Sequence, residues 1–179
     1  MLTKTLRTGE NTNRFTIMLS AALLVAGQNA WSQVVPENFE MLVHNDTTQG
    51  AHLAAGRFDE AAAHEAKGRP TAFDTHNNRC VMLTMKGEYA DAEAACNEAV
   101  AASEIESRGE VGWFGIATMR YEQAMALTNR GVLRAVSGDF EGARADFEAA
   151  IALDASKNAA RGNLARLEAK ATDLAAAGH

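Results

Sequence analysis

Between Asn78 and Lys86 the apolar positions Val81, Met82, Leu83 and Met85 fall at helical spacings, and Gly87 breaks the pattern. From Tyr89 a second stripe begins, with Tyr89, Ala92, Cys96, Ala99 and Val100 recurring at steps of three and four. Such a period predicts an amphipathic helix, and a glycine at the break suits a helix C-terminus that needs positive φ. The outline returns 51 residues later. Val132, Leu133 and Val136 precede Gly138, and Phe140, Ala143, Phe147, Ala150 and Ile151 follow it. Asp139, directly after that glycine, is placed to cap the second helix through its carboxylate. Each copy therefore reads as two helices joined by a tight turn.

A fainter copy survives in GRFDEAAAHE, with Gly56, Phe58 and Ala61. After Asp154, the segment around Asn163, Leu164 and Ala165 begins like another first helix but reaches no glycine turn, so it reads as a terminal cap. The best copy carries Asn129, Gly131, Gly138, Phe140, Ala143, Phe147 and Ala150, and the other carries Asn78, Cys80, Gly87, Tyr89, Ala92, Cys96 and Ala99. This pattern resembles the tetratricopeptide repeat family, with Ala155 where that family usually has Pro. The resemblance implies an all-α fold, an α-solenoid of about three helical hairpins plus a C-terminal capping helix.

The family period is about 34 residues. The turn glycines Gly56, Gly87 and Gly138 are instead 31 and 51 apart, so an insertion separates the middle and last repeats. The expected organisation is a signal peptide at 1–32, a linker at 33–43 and a helical repeat domain at 44–176. Within it lie a degenerate repeat at 44–72, a repeat at 73–106, an insertion at 107–123, a repeat at 124–157 and a cap at 158–176. The insertion should be a loop that runs into an N-terminal extension of the next helix. One such hairpin cannot bury its apolar face alone, so neighbours must stack. Ala92, Ala99, Ala143 and Ala150 let paired helices approach closely, while Tyr89 and Phe140 sit beside the turns.

The chain is 179 residues, one domain's worth, rich in Ala and with two Pro, which favours helix. At the N-terminus Lys4, Arg7 and Arg14 precede the apolar run FTIMLSAALLVAG, and Ala30-Trp31-Ser32 offers small residues for cleavage before Gln33. That is the build of a secretory signal peptide. The run is about 13 residues, short of the roughly 20 that a membrane span needs. The expected location is therefore the periplasm or exterior, with no membrane span after cleavage. Removing 1–32 takes away three positive charges and one negative, moving the net charge from −6 to −8. Nucleic acid is a poor partner for such a surface.

Cys80 and Cys96 lie eight residues either side of Glu88, so they face each other across the hairpin. In an exported chain an even cysteine number points to a disulfide. Two buried thiols packed as small apolar residues are the alternative, because helix axes about 8–10 Å apart are wide for a bridge. His76 shares a helix face with Cys80, yet no third orienting group or further ligand accompanies them. No motif for phosphate binding, serine hydrolysis or zinc is present. No catalytic residue, metal or cofactor is expected, and the protein reads as not an enzyme.

Asn78, Asn129 and Asn163 recur at one place in three successive first helices, although Asn is a mediocre helix former. The family resemblance puts first helices along a concave groove, where such an amide either hydrogen-bonds an extended peptide or packs against the neighbouring repeat. Val81 and Val132, three residues on, would make that groove partly apolar. Met125 and Ala159 stand where one version of the family carries carboxylate-clamping lysines, so that activity is not implied. The resemblance thus implies a non-enzymatic module that binds a protein or peptide through Asn78, Val81, Asn129, Val132 and Asn163, as a monomer or weak oligomer. The alternative is an envelope component, self-assembling or docking through 108–123 with Trp113 and Phe114.

Overall fold

A computed structural model describes residues 31–34, 38–64, 72–106, 113–154 and 158–177. Residues 1–30 of the expected signal peptide and 107–112 of the expected insertion lie outside them. The described residues form a short antiparallel ribbon, β1 (Trp31–Val34) with β2 (Met41–His44), followed by seven helices. These are α1 (Thr48–Ala54), α2 (Phe58–Ala63), α3 (Ala72–Lys86), α4 (Tyr89–Glu106), α5 (Trp113–Ser137), α6 (Phe140–Leu153) and α7 (Asn158–Ala177).

The helices pack as sequential pairs: α1 on α2, α3 on α4 and α5 on α6, with α4 on α5 and α6 on α7 joining the pairs. Gly56, Gly87 and Gly138 separate the paired helices at φ of 71°, 76° and 95°, the region that side chains with a Cβ rarely enter. Asp139 caps α6 by accepting the Gly142 N–H at 3.0 Å. Within the stretch expected as an insertion at 107–123, the residues from Trp113 onward belong to α5.

The small residues sit where close approach demands them. Ala92, Ala99, Ala143 and Ala150 are buried. Gly131 of α5 faces the Phe147 ring of α6, and a Cβ there would stand 2.6 Å from the ring edge. In the preceding pair the same two places are occupied by Cys80 and Cys96, which are bridged, with Cα atoms 4.7 Å apart. The helices cross more closely there than an average helix packing, so the bridge fits where the axis spacing alone argued against it. With a sequence separation of 16, the link removes about 3 kcal/mol of loop-closure freedom from the unfolded chain. An ionic clasp reinforces the next interface. Asp146, buried on α6, is held by Arg130 at 2.7 and 2.9 Å and by Arg134 at 2.7 Å, while Arg130 also reaches Asn97 on α4.

The main departure from expectation concerns residues 39–44, which fall in the segment expected to be a linker at 33–43 and the start of the first repeat. Met41–His44 form strand β2, and Phe39, Met41, Leu42 and Val43 are buried rather than part of a tether. Phe39, Met41 and Val43 belong to one apolar cluster with Val81, Leu133 and Phe147, and Leu42 to another with Phe73 and Met125. The fold class is all-α, seven helices among the described residues packed in sequential pairs, with the two-stranded ribbon as an addition.

Gly131→Ala should destabilise the protein by about 1–3 kcal/mol through overpacking against Phe147. Urea unfolding of the single variant and of Gly131→Ala with Phe147→Leu tests this. The smaller side chain should restore much of the loss, and equal losses in the two proteins would refute the clash.

Candidate functional site

The strand runs across α7, α5 and α3, the three helices that carry the recurring asparagines. Asn163 of α7 accepts the Glu40 N–H at 2.8 Å and donates to the Glu40 carbonyl at 2.8 Å. Asn129 of α5 does the same to Leu42, at 2.8 and 2.7 Å. Asn78 of α3 does the same to His44, at 2.8 and 2.9 Å. Three alternate helices thus close both backbone groups of every second residue, Glu40, Leu42 and His44. The periodicity of two that puts alternate residues on one edge of a strand makes this possible.

All three asparagines are fully buried, as are Val81 and Val132. The two valines share the cluster of Met41 and Val43 and pack beneath this segment. Met125 and Ala159 are likewise buried, in the cluster of Leu42. The structure therefore brings the five sequence-expected residues together around one extended segment, and that segment belongs to this chain. Their surfaces are closed by it.

Five further residues complete the site. Asn77 donates to the Leu42 carbonyl at 3.1 Å and accepts from Asn129 at 2.8 Å, joining two rungs. Arg166 bonds Asn163 at 3.1 Å and the Glu40 carboxylate at 2.8 Å. Thr47, the N-cap of α1, accepts from Asn78 at 3.1 Å and donates to the His44 carbonyl at 3.3 Å. Asp74, buried on α3, hydrogen-bonds the His44 ring. Gly50 of α1 lies so close to the end of the strand that a Cβ would collide with the His44 carbonyl. A sequence signal for the strand exists, since Phe39–Val43 is apolar apart from Glu40 and lies between Pro36 and the turn residues Asn45-Asp46.

Burial acts to lower the pKa of His44, but the hydrogen bond and charge of Asp74, with a smaller share from Asp46, outweigh it and raise the value above 6.5. Elsewhere, Cys80 is consumed in the disulfide and offers no thiolate beside His76, which lies 2.9 Å from Glu98. Among the described residues, no cluster of three or more His, Cys, Asp or Glu is arranged to hold a metal ion. No helix among them is long and apolar enough to cross a membrane.

Comparison with family models, curated proteins and solved structures finds no match.

Asn129→Ala strands the buried Leu42 N–H and should cost about 1–3 kcal/mol. Asn163→Ala should cost less, because Glu40 is only partly buried. Unfolding midpoints that ranked the two the other way would contradict the ladder. Since the folded-state pKa of His44 is raised, its contribution is fully present below 6.5 and is lost as pH rises through the folded value. Stability profiles of the protein and of His44→Gln should converge as pH rises through that window. A constant difference between them would remove the charge from the account.

Proposed function

We propose that the protein is a non-enzymatic interaction module of tetratricopeptide type, exported to the cell envelope, whose α-solenoid displays a strand edge to an extended segment of a partner protein. The observation that carries this reading is that the amide ladder holds β2 as a fixed strand whose other edge takes strand pairing. Paired Asn contacts to alternate backbone units are the chemistry by which a groove reads an extended peptide, whatever its side chains.

The occupant of the ladder is permanent by the magnitudes. Phe39, Met41, Leu42 and Val43 are almost wholly buried. At about 1.5–3 kcal/mol each, their burial contributes on the order of 6–12 kcal/mol as an upper bound. A micromolar peptide brings about 8 kcal/mol in all. Exchange against the resident strand would therefore leave little or no net affinity, so a partner gains more by adding to β2 than by replacing it. Strand addition is an established mode of peptide capture, with main-chain hydrogen bonds providing affinity. The disulfide supports an oxidising compartment, in keeping with the signal-like N-terminus.

The alternative reading, docking through 108–123, has Ile116 in its favour, which is 50% exposed near the start of α5. One such side chain is ordinary on a protein surface, so this reading is the weaker.

A photo-crosslinking residue at Asn38, exposed beside the strand, should capture a partner segment in the envelope, whereas one at Glu148 on α6 should not. The captured segment, synthesised as a peptide, should slow hydrogen exchange at Met41 and Val43. Binding without that protection would exclude strand addition.

A further inference from the structure

Leu42 and His44 spend both backbone groups on Asn129 and Asn78. In a strand, successive residues turn these groups to opposite edges, so Met41 and Val43 present theirs away from the ladder. On that far edge β1 is paired in the register Trp31↔His44, Ser32↔Val43, Gln33↔Leu42 and Val34↔Met41. The bond expected to be cut on export, Ser32–Gln33, falls in the middle of β1.

We infer that the unprocessed chain carries its own strand in the partner's place, and that cleavage after Ser32 vacates the edge at Val43 for an extended segment of another polypeptide. The inference rests on the strand-addition reading for the identity of the ligand, but the unloading step stands on the register alone. Removing residues 1–32 deletes the partners of Val43 and His44 and leaves Gln33 and Val34 opposite Leu42 and Met41. Val43 then has an N–H and a carbonyl with no strand beside them. An incoming strand supplies partners for both groups in the ladder pattern that β1 used. The two residues that remain are too short a strand to compete with a longer incoming one. The recognised chemistry is consequently that of an extended backbone, entering from the Val43 end.

The test compares the full-length chain with the chain released by signal peptidase. The exported protein should begin at Gln33; a start before Trp31 overturns the inference. Between the two forms, exchange of the Val43 amide should quicken by about tenfold or more, while the Leu42 amide, held by Asn129, stays protected. Equal protection of Val43 in both also overturns it. The probe for binding is a labelled peptide of residues 31–36, WSQVVP, followed by fluorescence anisotropy. It should bind the processed chain at least about tenfold more tightly than the full-length one, a difference of about 1.4 kcal/mol. Equal binding to both forms means that the edge was never closed and rejects the inference. An opened Val43 with no gain in peptide binding keeps the unloading step and removes strand addition, so the two ideas fail separately.

Discussion

The fold depends on a match of strides. Asn163, Asn129 and Asn78 stand on three neighbouring helices, and each meets a residue two along from the last. Two strand residues span about 6.6–6.8 Å. Packed helix axes are about 8–10 Å apart. The three side chains can keep this register only if they converge from axes that are more widely spaced, so the helices must be splayed around the strand. The strand thereby fixes the relative placement of α3, α5 and α7, and through them the pairs to which they belong.

That constraint compensates for an alanine-rich core. Ala92, Ala95, Ala99, Ala124, Ala143 and Ala150 are buried and allow tight pairing, but they contribute little apolar volume between the pairs. Phe39, Met41, Leu42 and Val43 supply it, and the strand carries them into both apolar clusters. The bridge between Cys80 and Cys96 and the clasp of Asp146 by Arg130 and Arg134 act at single helix pairs. The strand acts across all of them, which is why a short array can hold together.

Much of this was legible because it repeats. The turn glycines, the alanine seams, the Asp139 cap and the facing cysteines each follow from comparing one copy with the next. The recurrence of Asn also marked the correct positions, with recognition of an extended segment and structural packing left as alternatives. What they meet is an extended segment of this same chain, Glu40, Leu42 and His44, rather than a neighbouring repeat. The strand itself was hidden for a physical reason. It occurs once, so no second copy exposes it, and its short apolar run adjoins residues that read as a linker. Asn77, Asp74 and Arg166 were missed with it, because each acquires its role from the strand's backbone or end residues.

A ladder that reads backbone cannot by itself tell one register from another two residues away. A slip of one residue is excluded at once, because it would bring Glu40 and His44 to the face that packs on Val81, Leu133 and Phe147 and take Phe39, Met41 and Val43 off it. A slip of two keeps every amide satisfied and must be excluded by side chains. The ends of the strand do this. Glu40 pairs with Arg166 at 2.8 Å at one end, and His44 meets Asp74 at the other, while Gly50 leaves room there for one carbonyl and nothing larger. Ion pairs as exposed as that of Glu40 with Arg166 contribute little to stability. Here their use is different: they distinguish between alignments that the neutral amides hold equally well, so the charges set the register and the amides hold it.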